Sequence, residues 1–383
     1  MNLASDISCD FATGGKIYLN NASVSIMPLQ SIEAINEFLK LYNQMGPDSI
    51  SSEPFVLEKL KSTRRAVAKI INCQEQEIVL TQSTTDGINY VANGLSFPEG
   101  SNIIIRGGAH EHHANYYPWL RLQNKTKVNS MEIDADGFFN FEELDSHLDG
   151  NTKLVALSHA LYNTGAILPI ERVGKMLDGA SFFVDGAQTV GCVADVDVAK
   201  INCDFMSFNG SKWLCGPMGT GLFYCRNDAA SLLEPILIGG ESAMIYDNTK
   251  LAFMDMPERF QTGFRNYAGI VGLEVSAEYI LKFGLENIRR KNRRLSEIFR
   301  EGLSNMKNVT LYGPQDAEQR TSIISFSING IESEGIVAKL EKAGIILAVR
   351  EILDKKIVRA SPHFFNTEDE IGIVLDAIKK IIG

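Results

Sequence analysis

One lysine in this sequence stands out by its setting: F-N-G-S-K-W-L-C-G-P, residues 208–217, places Lys212 between a small turn and a Gly-Pro turn, with Asn209 and Ser211 beside it. A solvated lysine has a pKa of about 10.4 and is a poor nucleophile, whereas one held in a pocket can form an imine with an aldehyde. On its own the motif also suits an ordinary surface turn. Three further stretches carry chemical groups. T-Q-S-T-T-D-G-I-N-Y (81–90) sets hydroxyl residues at the start of a helix, where free N–H groups and the helix dipole favour a phosphate; an N-cap by Ser83 or Thr84 is the plainer reading. S-F-F-V-D-G-A-Q (181–188) leaves Asp185 at the end of an apolar run, where a buried carboxylate needs a partner such as a protonated ring nitrogen, a helix start or another side chain. G-G-A-H-E-H-H-A-N-Y-Y-P-W (107–119) gathers His110, His112 and His113, flat rings suited to stacking on an aromatic ligand or to acid–base work. A metal cluster is the rival there, but no Cys, Asp or Glu set beyond Glu111 stands at ligand spacing. A phosphate cradle, a stacking ring, a carboxylate for a pyridinium and an amine for an aldehyde are the four handles of pyridoxal 5'-phosphate.

These groups need elements to hold them. E-I-V-L-T, N-I-I-I-R, K-V-N-S-M-E-I, K-L-V-A-L-S-H, S-F-F-V-D, F-M-S-F and G-L-F-Y read as strands, with helical patterns between several of them at Thr85 to Leu95 and Ile170 to Leu177. Alternation of this kind predicts an α/β fold with a mostly parallel sheet covered on both faces, and ligands at the carboxyl ends of its strands. After about Pro257 the rhythm becomes helix, strand, helix, strand, strand, helix, with a long helical stretch from Ala268 to Met306 broken near Gly284. The expected organisation is a large domain over 18–257 and a smaller α+β domain over 258–383, with residues 1–17 packing against the latter.

The 383 residues, 45% of them hydrophobic, can bury a sizeable core. A formal charge of -10 argues against a surface built for nucleic acid phosphates. The N-terminal stretch has no basic start followed by an apolar run, and no apolar stretch is long enough to span a bilayer, so a cytoplasmic protein without membrane or nucleic acid partners is expected. Six scattered cysteines without C-x-x-C pairs fit reduced thiols, and no metal is implied.

With those segments in place, the chain resembles the class V aminotransferase-like pyridoxal phosphate enzymes of fold type I, most closely the cysteine desulfurase and selenocysteine lyase branch. T-T-D-G-I-N, E-H-H-A-N, V-D-G-A-Q, D-F-M-S-F-N-G-S-K and G-P-M-G-T-G carry the resemblance, which runs from Y-L-N-N-A at residue 18 to V-R-A-S-P-H-F-F-N-T at residue 358. It implies a seven-stranded sheet in the large domain, Lys212 as the imine-forming amine and proton carrier, His112 stacked on the pyridine ring, and Asp185 paired with the ring N–H. It further implies Gln188 at the 3'-oxygen, Thr84, Thr85, Asn209 and Ser211 on the phosphate, and Arg359 on the substrate carboxylate. Tyr162 or Asn163 would stand where the family has an asparagine near the 3'-oxygen. Loops from Asn21 to Met27 and Ser242 to Thr262 would line the side-chain pocket, with Asn21 beside the substrate. The family pattern of a Gly-Thr pair followed by Asn, whose threonine reaches the neighbouring subunit's phosphate, stands here as T-G-F-R-N (262–266), with Phe264 and Arg265, so Arg265 is expected to cross the interface of a homodimer with shared sites towards the partner's cofactor phosphate or substrate; an ion pair within the chain is the alternative.

The chain departs from the desulfurase branch where that branch keeps a nucleophilic cysteine: no cysteine follows Cys225, and the loop in I-I-L-A-V-R-E-I-L-D-K-K-I-V-R-A-S is shortened. The expectation is therefore a C–S β-lyase acting on a cysteine-derived substrate. A class V aminotransferase, an epimerase or oxidative deaminase of specialised metabolism, and a non-catalytic binding module of the same fold are the alternatives.

Overall fold

The computed structural model describes residues 7–108, 111–134, 136–194, 196–247 and 249–383. Seven strands form the central sheet, in the order Ile78–Thr81, Gly221–Cys225, Phe205–Asn209, Ser181–Asp185, Thr152–Ser158, Asn102–Arg106 and Lys127–Met131. The five from Phe205–Asn209 onward run parallel, and Gly221–Cys225 is antiparallel to both its neighbours. Strands buried on both faces have no need of polar alternation, which is why N-I-I-I-R and G-L-F-Y-C read as apolar runs and are buried along their whole length. One face packs against helices Glu53–Ile71 and Tyr267–Phe283; Thr84–Gly94, Tyr117–Leu120 and Phe260 cover the other.

The smaller unit is a four-stranded antiparallel sheet in the order Val309–Tyr312, Ile324–Ile328, Lys355–Ala360 and Ala348–Ile352. Leu285–Ser304, Ser333–Lys342 and Glu368–Ile382 bury apolar side chains with its strands in a core of their own. The segment after the expected boundary at 257/258 still packs on the central core as far as Ile288. Helix Tyr267–Phe283 contributes Ile270, Leu273, Ala277 and Ile280 to the central core, and Gly284, with φ +93°, breaks the chain into the helix that serves the small domain. The N-terminal segment runs into this unit, Ile17–Tyr18 pairing in parallel with Ile345–Ile346. Phe11 stacks on Phe365 at 4.2 Å. No described helix is long and apolar enough to cross a membrane.

Candidate active site

Arg106, Ser158, Asp185 and Asn209 are the last residues of four of the parallel strands. Ser158, Asp185 and Asn209 line a cavity of about 240 Å³ together with Thr84, Thr85, His112, Tyr162, Gln188 and Lys212. Helix Thr84–Gly94 points its N-terminus at this cavity. Ser83 caps it, accepting from the Asp86 N–H, so the capping expectation holds for Ser83. Thr84 is left with a buried hydroxyl that has no partner among the described residues. Close approach of the helix to the sheet depends on Gly87, where a Cβ would lie 2.4 Å from the Ser207 hydroxyl.

Lys212 is half-buried, and burial together with the Arg359 and Arg350 charges brings its pKa down to about 8 against the pull of Asp185. Asp185 accepts from the Ala187 N–H at 2.9 Å. Burial and the nearby Glu111 carboxylate raise its pKa to about 6. His112 faces Tyr162 edge-on, ring centroids 5.0 Å apart. Its Nδ1 accepts from the Ala114 N–H, so the proton of the neutral ring sits on Nε2. Desolvation and the Lys212 charge push His112 down to about 4, which keeps the ring neutral at physiological pH. Gln188 is held at both ends of its amide, donating to the Ala22 carbonyl and accepting from the Trp213 indole.

Two arginines close the small-domain side. Arg359 is buried; it donates to the Tyr162 carbonyl at 2.7 Å and to Ser23 Oγ at 2.5 Å, and its Nε has no partner among the described residues. Arg350 donates to the same Ser23 oxygen. Ala348 pairs with Arg359 and Arg350 with Ile357, so the two arginines are diagonal neighbours on one face of the hairpin. Among the described residues neither has a carboxylate within ion-pair distance.

Besides Arg359, four residues expected at the site do not line this cavity. Asn163 turns to the small domain, donating to the Glu351 carbonyl, so only Tyr162 of that pair faces the cavity. Asn21 is consumed in tying loops together, its amide donating to the Ser361 carbonyl and its oxygen accepting from Ser25. Ser211 lies behind Asn209, whose Nδ2 donates to its hydroxyl at 3.4 Å. Arg265 pairs with Glu241 within the chain and lines a separate cavity with Gln82, Tyr90 and Gln261. His110 lies outside the described residues. Among the described residues no cluster of three or more His, Cys, Asp or Glu side chains is arranged to hold a metal.

Residue-by-residue inspection of the sequence overlooks Arg350 and the roles of Arg106 and Glu111. Glu111 accepts from Arg106 at 2.8 Å, from the Ser158 hydroxyl at 2.5 Å and from the His112 N–H at 2.9 Å, all of it buried beside Asp185. Arg106→Met is expected to cost about 3–5 kcal/mol in a urea unfolding titration, because it strands the Glu111 charge. A change below 1 kcal/mol would remove the ion pair from the account.

The cysteine expected to be missing has no place in the structure either. Ala348–Ile352 and Lys355–Ala360 are joined by a two-residue turn, Leu353-Asp354, both at positive φ. None of the six cysteines lines the cavity, and burial raises Cys192 to about 11 and Cys215 to about 12, far from thiolate reactivity.

A family model described as Aminotransferase class-V matches residues 17–374. The probable cysteine desulfurase of Methanothermobacter thermautotrophicus is 32% identical, covering 96% of this chain and 95% of its own. The apo structure of the cysteine desulfurase from Thermococcus onnurineus superposes with a TM-score of 0.92 at 29% identity, over 100% of this chain and 98% of that one. The cystine C-S lyase C-DES, solved with its product cysteine persulfide, gives 0.87 at 25% identity, over 95% of this chain and 97% of that one.

Proposed function

The chain belongs to the class V aminotransferase family as a pyridoxal phosphate-dependent enzyme for cysteine-derived substrates, and from that premise we propose that it is a C–S β-lyase for substrates carrying two carboxylates, such as cystine. The observation that carries the reading is the pair Arg350 and Arg359, two guanidinium groups that among the described residues have no carboxylate within ion-pair distance, whose charges act on Lys212, and which stand behind Tyr162 at a cavity that no cysteine lines.

The cavity fits the cofactor. The unpartnered Thr84 hydroxyl, the Thr85 hydroxyl and the helix N-terminus offer donors for its phosphate, with Asn209 beside them. Asp185 suits its ring nitrogen, His112 one ring face, and Tyr162 and Gln188 its oxygen edge. When bound, pyridoxal phosphate supplies an aldehyde for amines and a sink for electrons released at Cα. Lys212, with a pKa near 8, has a substantial neutral fraction at neutral pH and can both attack a carbonyl and carry the Cα proton. Asp185 is mostly ionised above about pH 6 and would hold a protonated ring nitrogen opposite it. Arg359 grips the α-carboxylate with its planar fork, and Arg350 takes the distal one. Loss of the Cα proton followed by departure of the Cβ–S electron pair releases the sulfur with its own substituent; protonated, it leaves as a thiol or persulfide, and hydrolysis of the remainder gives pyruvate and ammonia.

The selectivity this implies is measurable. Arg350→Ala is expected to lower kcat/KM for L-cystine about 10- to 100-fold, the size of a lost charge-assisted hydrogen bond, and to leave S-methyl-L-cysteine within about twofold. Equal losses on both substrates would remove the distal carboxylate from the reading. Transamination remains the second reading, since the same cofactor and Lys212 serve it.

The same reading makes the protein a cytoplasmic homodimer. Met244, Ile245, Tyr246 and Leu251 of the hairpin Ala243–Phe253, with Phe264, are exposed apolar side chains that a second copy would cover. Light scattering that reads a single-chain mass would remove the dimer.

A further inference from the structure

A second cavity, of about 520 Å³, lies in the crease between the two domains. One wall comes from Ile167 to Lys175 and Cys192 to Ala194, the other from helix Leu285–Ser304 and the segment that ends at Ser322. It backs onto the cofactor cavity through one strand end: Ser158 lines the first cavity and the next residue, His159, the second.

The polar groups here are unusually short of partners. Arg320 is buried, gives one amino group to the Pro314 and Gln315 carbonyls, and keeps an Nε without an acceptor. Among the described residues no carboxylate lies within ion-pair distance of it or of Lys175 at the rim. His159 is buried, held neutral by that burial, and its Nδ1 has no partner among the described residues. Arg293 does pair with Glu318 and Glu297 across the opposite wall. In a chain of net charge -10, a cavity lined by Arg172, Lys175, Arg289, Arg293 and Arg320 against the two carboxylates Glu171 and Glu318 is a local reversal of sign, although Glu297 and Asp316 also act on Arg320 from a distance. Leu168 and Val193 supply apolar surface between them.

We infer that this crease binds a small organic anion, its charged head on Arg320 and Lys175 and its apolar body against Leu168 and Val193. The head group meets donors that water alone would leave unneutralised, and the body separates this ligand class from a bare inorganic ion. Because the walls belong to both domains, the bound anion ties them together.

Benzoate and phenyl phosphate are suitable probes, titrated calorimetrically into the full chain saturated with pyridoxal phosphate, with inorganic phosphate and sodium chloride as controls. One saturable site per chain is expected for an organic probe. Lys175→Glu, a rim substitution that leaves the core alone, and Arg320→Met are each expected to weaken it about tenfold or more. Arg359→Leu leaves the affinity unchanged if the site is the crease. Loss of binding in Arg359→Leu with retention in Lys175→Glu would assign the probe to the active site and overturn the inference; so would inorganic phosphate binding as tightly as the organic probes, or no saturable heat at all. The readout is heat of binding, so it stands apart from whether the lyase reading holds.

Discussion

Replacing Lys212 by alanine is expected to lower kcat by roughly 10²- to 10⁴-fold, the range removed with a positioned proton carrier. The purified variant also lacks the visible absorbance band of lysine-bound cofactor. The loss is chemical rather than structural, because no hydrogen bond to the lysine amine holds the fold together among the described residues and its removal relieves a charge that burial disfavours. A pH signature accompanies it. The pKa near 8 means that the amine is mostly protonated below pH 7 and mostly neutral above pH 9, so uptake of cofactor by the apo protein accelerates with rising pH through about 8. The measurement is the rate at which the band appears on mixing at each pH. An uptake rate independent of pH from 6 to 9, or a Lys212→Ala protein that turns over at the native rate, contradicts the assignment.

Arg359→Leu carries the second large effect. Two charge-assisted hydrogen bonds to a carboxylate are each worth about 1.5–3 kcal/mol, so kcat/KM is expected to fall by about 10²- to 10⁴-fold, more through KM than through kcat. Arg359→Lys is not a rescue, since an ammonium cannot reproduce the planar fork that also spans the Tyr162 carbonyl and Ser23. Cofactor binding provides the internal control: the absorbance band is retained in both variants. A wild-type KM in Arg359→Leu would place the α-carboxylate elsewhere.

These expectations rest unequally on sequence and structure. Four of the five parallel strands were legible because strands buried on both faces are written as largely apolar runs, the edge strand Lys127–Met131 alternating instead, and Lys212, Asp185, His112 and Thr84 each follow an apolar run. The domain seam was not. Helix Tyr267–Phe283 is apolar nearly all round, and apolarity says that a helix is buried without saying against what; only packing shows it on the central core. Asn163 and Asn21 were misplaced for a related reason. An asparagine beside a site can serve a ligand or a neighbouring carbonyl, and both of these serve carbonyls. Arg350 was within reach: nine residues before Arg359 across a two-residue turn, it must share that residue's face, but the argument needs the hairpin register, which an apolar pattern alone does not set. The Arg106–Glu111 pair is non-local in its effect, acting on Asp185 two strands away in the sheet.

The absent cysteine shapes the chemistry most. No cysteine lines the cavity, and on the proposed reading the sulfur is not handed to the enzyme but leaves on its own substituent. The most direct test is to incubate the cofactor-loaded protein with L-cystine and follow pyruvate, ammonia and the cofactor spectrum together. Equal amounts of pyruvate and ammonia, formed over many turnovers with the lysine-bound cofactor band restored at the end, are what the account predicts. Conversion of the cofactor to its pyridoxamine form, discharged only when a keto acid is added and with no pyruvate released from cystine, would contradict it.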